Sequence, residues 1–583
     1  MLLQDIQFPK ENICDIPELF YRTTGEYSQE EKTLRLKEAE SCSFDTYFNA
    51  FPLEKWKKYT ILDNLQICLT FKGKLKVVLK NSYVTENDIV QDIVVSEHVL
   101  EHDTMKEAIL DYGTLDSLKG SCYFEITCMS TNVEITSCVY ATNVTTQLRE
   151  IKLSVVICTF KREAFINQNL EIIRKHITEN HNSELYDHFN VIVSDNGQSL
   201  GESQVRNISI YPNRNLGGSG GFTRGMIETL RQDTEKNITH VIMMDDDVVF
   251  DVSIFYRLYR FLRLLKKEYE HSTVGGAMLK LNHRNIQHEK GAYREQQQVK
   301  VYGQNIDLCE KKNVLLNEKE EDVNYSGWWF SCVSADEVRE DNLPLPLFIH
   351  GDDVEYGLRN KNKIIFLNGI GLWHSTENKE SSVLAYYDNR NDLIINAVHG
   401  FGNSKSEKRR LLLCMLAKVI RYRYKDALLI AKATEDFCKG IDWIKELDGI
   451  ALHQELGTLG YRNETDFSDF EIMHVETDQM TAKFYLTLML NFCLPALKKA
   501  IAVDNTVSLN NFWLRKEVHM CDANTKKGYT LKKSYKELWK VWKAYRKTAK
   551  LLDKFYTEAS SSYRERFKEI ENIDFWKKYL EIQ

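Results

Sequence analysis

Residues 240–247, HVIMMDDD, decide the fold: a short apolar run passes directly into three consecutive aspartates. A run of this length bounded by polar residues reads as a buried strand. The pattern repeats upstream. SVVICTF (Ser154–Phe160) is a strand, followed by a helix over Ala164–His176. NVIV (Asn190–Val193) is a second strand and ends in Ser194-Asp195-Asn196-Gly197. Ile208–Tyr211 is a third, followed by the glycine-rich NRNLGGSGG (Asn213–Gly221) and a helix over Phe222–Arg231. Strands alternating with helices predict an α/β unit with a largely parallel sheet. Ligands of such sheets sit beyond the carboxyl ends of the strands. Asp195, the glycine stretch and the triple aspartate all fall at such ends.

The chemistry of these residues is specific. Adjacent carboxylates repel unless a cation or donors offset them. Hard oxygen ligands select Mg²⁺ or Mn²⁺, often shared with phosphates. Neighbours on an extended segment point to opposite sides, so Asp245 and Asp247 face one way and Asp246 the other. A solvated acidic turn is the alternative. Gly217, Gly218, Gly220 and Gly221 let backbone approach an anionic ligand, or form a plain connector. They make neither a Walker A loop nor a GxGxxG turn after the first strand. In NYSGWWFSCV, an apolar segment read as extended, alternation buries one of Trp328 and Trp329 and exposes the other to a sugar face, unless both are core. PLFIHGDDVEYGLRNK places Asp352 and Asp353 at a helix start, one as cap and one as general base, or both as capping residues; Glu355 reads as structural. His374, in IGLWHS, is a metal ligand or a hydrogen-bonded structural histidine.

The chain has 583 residues, enough for two to four domains. Residues 1–150 carry short apolar β-type runs at sandwich or barrel spacing, 151–400 the α/β pattern, and 401–583 a Leu-, Lys- and Glu-rich helical pattern. The net charge of -7 excludes a whole-chain nucleic-acid binder. It conceals a split, because residues 501–583 carry 18 Lys and Arg against 11 Asp and Glu. Leu531, Tyr535, Leu538, Trp539, Trp542, Tyr545, Ala549 and Leu552 recur at helical spacing among lysines. They read as a basic amphipathic helix for an anionic membrane surface, or as an ordinary packed helix. Phe484–Val503 is too interrupted by Asn491, Pro495, Lys498 and Lys499 to span a bilayer. The N-terminus lacks a signal-peptide pattern, and the 13 cysteines read as reduced cytoplasmic thiols.

CTFKRE, SDNG, NRNLGGSGGF, MMDDDV, SGWWF, HGDDVEYGLR and GLWHS, in this order, resemble the inverting glycosyltransferases of family 2 with the GT-A fold. Within that family they are similar to galactofuranosyltransferases of the mycobacterial galactan-polymerising type. FDTYFNAFPLEKWKKYT, residues 44–60, resembles the β-rich N-terminal domain of that group. The resemblance implies a multidomain α/β chain: an N-terminal β-sandwich or barrel, a Rossmann-like GT-A catalytic domain and a C-terminal helical domain.

The implied roles follow residue by residue. Thr159, Arg162, Asp195, Gly217, Gly218, Asp245 and Asp246 contact the nucleotide donor. Asp245, Asp247 and His374 hold Mn²⁺ or Mg²⁺. Trp328, Trp329 and Asp352 bind acceptor or sugar, and Asp353 is the catalytic base. The implied reaction transfers galactofuranose from UDP-galactofuranose to a lipid-linked glycan on the inner face of the cell membrane. The expected partners are that donor, a glycan or glycolipid acceptor, an anionic membrane and a further copy of the chain, with no nucleic acid. Another nucleotide sugar (rhamnose or a pyranose), an inactive carbohydrate-binding scaffold and nucleotidyl transfer are the competing readings.

Overall fold

The protein is described by a computed structural model covering residues 1–583 apart from 145, 297, 377–380, 474–489, 505–508 and 523–524. At its centre, strands Ile208–Pro212, Phe189–Asp195, Leu153–Thr159 and His240–Asp245 lie side by side in that order and run parallel. The far half is mixed, which the sequence pattern did not foresee. Phe330–Ser334 runs antiparallel to His240–Asp245, and Thr273–Lys280 pairs antiparallel with it and parallel with Ile364–His374. Helices cover both faces, so Phe189–Asp195 is buried along its whole length. That is why these strands read as unbroken apolar runs. From Leu153–Thr159 the chain goes to one side for two strands and then to the other for His240–Asp245. The crevice at this switch lies between Thr159 and Asp245. In register, Thr159 stands opposite Asp195 and Cys158 opposite Asp245.

The glycine stretch is not a loop. Gly217 opens a helix that runs to Lys236. Glycine is a poor helix former, and close packing explains its presence. Gly217 has φ +70, and a Cβ there would overlap the carbonyl oxygen of Phe348. A Cβ on Gly221 would overlap Cys158 Sγ, and one on Gly225 would overlap Val156 Cγ1. Gly221 and Gly225, four apart, share a face, so that face lies directly on the strand Leu153–Thr159.

The N-terminal region is a nine-stranded antiparallel sheet. A long strand, Gln66–Val84, pairs on one edge with Val90–Asp111; on the other it pairs with Asn132–Ala141 and then with Ser121–Cys128. This sheet shares a hydrophobic core with the central one. The segment 44–60 makes the junction: Trp56 meets Phe261 edge-on at 5.0 Å, and Phe48 packs on Trp373 at 5.7 Å. Arg257, 2% exposed, donates to the carbonyls of Phe48 (2.6 Å) and Asn368 (2.7 Å). These bonds offset the cost of burying its charge. Trp373 precedes His374, so the N-terminal domain braces the end of a site strand.

Helices Leu384–Val398, Ser404–Ile420, Tyr424–Phe437 and Tyr535–Arg566 build a separate core. The expectation of helices alone after residue 401 is incomplete. A five-stranded sheet intervenes, centred on the hairpin of Glu517–Cys521 and Lys527–Lys532. Leu531 and Lys532 therefore belong to a strand; the basic helix starts at Tyr535, with Ser534 Oγ accepting the Glu537 amide as N-cap. Of the apolar stretch 484–503, residues 484–489 lie outside the described residues, and Ala502–Val503 is a strand. Among the described residues no helix is long and apolar enough to cross a membrane. The last helix, Ile573–Leu580, returns to the glycine helix, with Trp576 donating to Pro344 O at 2.8 Å.

Replacing Gly221 with Ala is expected to destabilise the fold by about 1–3 kcal/mol through overpacking against Cys158. Urea unfolding measures this. Adding Cys158→Ala relieves the overlap, so the double variant is expected to lose less than the sum of the singles. Strict additivity would contradict the packing account.

Candidate active site

The three aspartates do different things. Asp246 turns inward: Thr159 Oγ1 donates to its Oδ2 at 2.6 Å and Arg162 Nη1 to its Oδ1 at 3.0 Å. Asn169 Nδ2 holds the carbonyls of Asp246 and Val248, both at 3.0 Å. With Asp246 anchored, Asp245 and Asp247 emerge on the opposite side beside His374. Ligand atoms of these three lie within 4.8 Å of one another. His374 Nε2 is 3.0 Å from Asp247 Oδ1 and 3.9 Å from Asp245 Oδ2. Its Nδ1 donates to Ser375 O at 2.7 Å, which leaves Nε2 for the carboxylate side.

Burial pushes Asp245 up to about 7. Burial acts the same way on Asp247, but His374 and Arg162 outweigh it and hold that carboxyl below its ordinary value. Burial depresses His374, yet Asp247 and Asp245 lift it to about 9. Asp247 Oδ1 is buried and faces a single group, His374 Nε2 at 3.0 Å. Two carboxylates and an imidazole nitrogen turned toward them fit a divalent cation, which would displace the proton the cluster otherwise shares.

Asp352 and Asp353 open the helix Asp352–Asn360. The preceding loop is bent, with φ +74 at Phe348, +64 at His350 and +87 at Gly351. Helix Leu384–Val398 holds the bend. Asn391 Nδ2 faces the carbonyls of Leu347, Ile349 and His350 at 3.1, 2.9 and 2.8 Å, and Arg390 Nη2 donates to Leu347 O at 2.7 Å. Asp352 is buried and accepts Ser219 Oγ at 3.3 Å. A Cβ on Gly218 would stand 3.3 Å from Asp352 Oδ2. Asp353 accepts the Val354 amide at 2.7 Å; burial, then its neighbour Asp352, push it up to about 7. Glu355 is structural, paired with Arg359 at 2.9 Å and His399 at 3.3 Å.

One cavity of about 320 Å³ unites the halves, lined among others by Gly218, Asp245, Trp328, Trp329, His350, Asp352 and Asp353. The tryptophans occupy a turn rather than an extended segment. Trp328 is buried, edge-on to Phe222 at 5.0 Å, while Trp329 is half-buried and donates to Gly276 O at 2.8 Å.

Other expected donor contacts lie elsewhere. Asp195 is 1% exposed and accepts the amides of Gly197, Ser199 and Leu200 at 2.9, 2.7 and 2.7 Å. It shapes its loop instead of facing the cavity. Thr159 and Arg162 engage Asp246, and Arg162 also reaches Asp247 at 2.6 Å. Gly217 packs under Phe348. Two residues escaped the sequence reading although a signal existed. Asn169 and Asn391 lie on the apolar stripes of their helices, three and four residues from Ile166 and Ile173, and four from Tyr387 and Ile395. A buried amide on such a stripe must find partners, and here it grips the loop that presents the carboxylates.

Comparison with known proteins now places this architecture. Residues 3–143 match the family described as Galactofuranosyltransferase 2 N-terminal. Galactofuranosyltransferase GlfT2 of Mycolicibacterium smegmatis is 27% identical over 428 residues, 68% of this chain and 64% of that protein. GlfT2 of Mycobacterium tuberculosis is 26% identical over 465 residues, 72% of this chain and 69% of that protein. The match thus spans about two thirds of these relatives. Among solved structures, a mannosyltransferase from Pyrobaculum calidifontis in complex with GDP-Man and Mn²⁺ covers 54% of this chain and 81% of its own. It is 12% identical with a TM-score of 0.27, too distant to carry an argument. The class supported is a glycosyltransferase. Within that class the chain is similar in sequence to GlfT2.

Asp247→Asn and His374→Ala are each expected to weaken Mn²⁺ binding by at least about tenfold, because even partners one shell further out contribute that much. Titration followed by Mn²⁺ EPR measures it. Unchanged binding in both variants would remove the cation site.

Proposed function

We propose that this chain is a metal-dependent inverting glycosyltransferase of the GT-A fold that moves galactofuranose from UDP-galactofuranose to a lipid-linked glycan. The observation carrying this reading is a cavity lined together by Asp245, a member of the candidate cation cluster, by Asp352 and Asp353, and by Trp328 and Trp329. A divalent ion, Mn²⁺ or Mg²⁺, held by Asp245, Asp247 and His374 would offset charge developing on the departing diphosphate. Asp353 takes the proton of the acceptor hydroxyl as that oxygen bonds to the anomeric carbon and the bond to the diphosphate oxygen breaks. One displacement inverts the centre and needs no enzyme nucleophile. Trp328 and Trp329 offer apolar faces to the sugars and exclude water. Asp352, fixed by Ser219, holds a sugar hydroxyl.

The base must be unprotonated. With Asp353 raised to about 7, transfer is expected to fall as pH drops through that value and to plateau above it. Incubation with a panel of nucleotide sugars, Mn²⁺ and short acceptors, read by mass spectrometry, identifies the donor. Asp353→Asn is expected to lower transfer by about 100-fold or more while retaining UDP binding. Full transfer by that variant would sink the base assignment, and product from another nucleotide sugar alone would sink the galactofuranose reading.

We also propose that the protein is cytoplasmic and rests peripherally on an anionic membrane. Tyr535, Trp539 and Trp542 are 64%, 59% and 49% exposed, with Leu490 and Leu497 exposed as well. Lys543, Arg546, Lys547, Lys550 and Lys554 line a groove on the same helix. Interfacial aromatics among lysines suit anionic headgroups. The protein is expected to float with vesicles containing anionic lipid and to dissociate at high salt or in the Trp539→Ala, Trp542→Ala double variant. Failure to float at low salt would contradict this.

A further inference from the structure

His350 lines the cavity beside Asp352 and Asp353, and the proposed reaction does not use it. Its placement is imposed by the backbone. φ at His350 is +64, a conformation that side-chain-bearing residues adopt rarely. Its carbonyl oxygen accepts from Asn391 at 2.8 Å, and its ring Nδ1 meets Asp388 Oδ1 at 2.8 Å. Asp388 and Asn391, three apart on helix Leu384–Val398, thus hold the ring and the backbone of one residue. No hydrogen bond of Nε2 is found among the described residues.

The surroundings are acidic. Asp388, Asp352 and Asp353 face His350. The acid pair is also faced by Asp245, Glu289, Tyr325 and the Cys158 thiol. His350 is a cation among the groups that act most strongly on Asp352 and Asp353, whereas His374 interacts with Asp245 and Asp247.

We propose that His350, held as an imidazolium by Asp388, is a positioning residue whose fixed positive charge opposes the clustered carboxylates and allows Asp353 to serve as base near neutral pH. Contact with Asp388 also raises His350 above its ordinary value, outweighing its partial desolvation. The pair lies at the open mouth, with side chains 55% and 51% exposed, so solvent screens it in the free protein. Substrate that seals the mouth excludes water and strengthens its field.

The inference rests on the proposed transferase reading, and the test separates the two. Full-length protein labelled at histidine Cε1 is titrated by NMR. The His350 midpoint is expected to fall by about one pH unit in Asp388→Asn. This readout needs no activity. The acidic limb of kcat/KM for transfer is then compared in wild type, His350→Gln, Asp388→Asn and His350→Lys. Loss of the cation is expected to move the limb to higher pH by about one unit in the first two variants. His350→Lys is expected to restore it. Lower rates with an unmoved limb, or an unshifted His350 midpoint, would overturn the proposal. A wild type that transfers from no nucleotide sugar would instead sink the transferase reading, while the NMR titration still decides whether Asp388 holds the imidazolium.

Discussion

Three carboxylates in succession at the end of a buried strand are stable only if they are separated, and the inward anchoring of Asp246 does this. Thr159, from the neighbouring strand, and Arg162 neutralise it, while Asn169 clamps the backbone on either side. Once Asp246 is committed, Asp245 at the strand end and Asp247 in the following turn stand together beside His374. The position of His374 is set independently, by the parallel pairing of Ile364–His374 with Thr273–Lys280 and by Trp373 packing on Phe48 of the N-terminal domain. The candidate cation cluster is therefore an intersection of two strand ends, one braced by the partner strand and the other by a separate domain.

The acid pair at the other end of the cavity obeys the same logic. A strained loop persists only when its surroundings over-determine it. Here the helix Leu384–Val398, which belongs to the C-terminal core, reaches over to hold the carbonyls of Leu347, Ile349 and His350. The glycine helix approaches from the opposite side, and Gly218 leaves space for Asp352. The cavity of about 320 Å³ is lined by the central unit, with its acid-pair loop held from the C-terminal core. Changes far from the chemistry, in Phe48 or Asn391, bear on the two ends separately.

The parallel half of the sheet and its carboxyl-end aspartates were legible, because strands buried on both faces must be apolar and must end in polar residues. The separation of Asp246 from Asp245 and Asp247 was legible too, although a turn after the strand, and not an extended segment, produces it. Asp195 at its strand end signals either ligand or loop, and the structure adds the loop part, its carboxylate accepting the Gly197, Ser199 and Leu200 amides. Gly217 to Gly221 read as a loop because intrinsic propensity disfavours helix, and tertiary packing against Cys158 and Val156 overrode it. The hairpin of Glu517–Cys521 and Lys527–Lys532 was hidden by the helix-like composition around it. His350 carried no sequence signal, since its role depends on a partner 38 residues away.

The central claim is that Asp246 is structural whereas Asp245, Asp247 and His374 hold the cation that faces a nucleotide diphosphate. Anomalous diffraction at the manganese edge, from crystals containing Mn²⁺ and UDP, tests it most directly. The expected map has one peak bonded to Asp245, Asp247, His374 Nε2 and the diphosphate, with Asp246 still on Thr159 and Arg162. A peak on Asp246, or a diphosphate bound away from this cluster, would contradict the account.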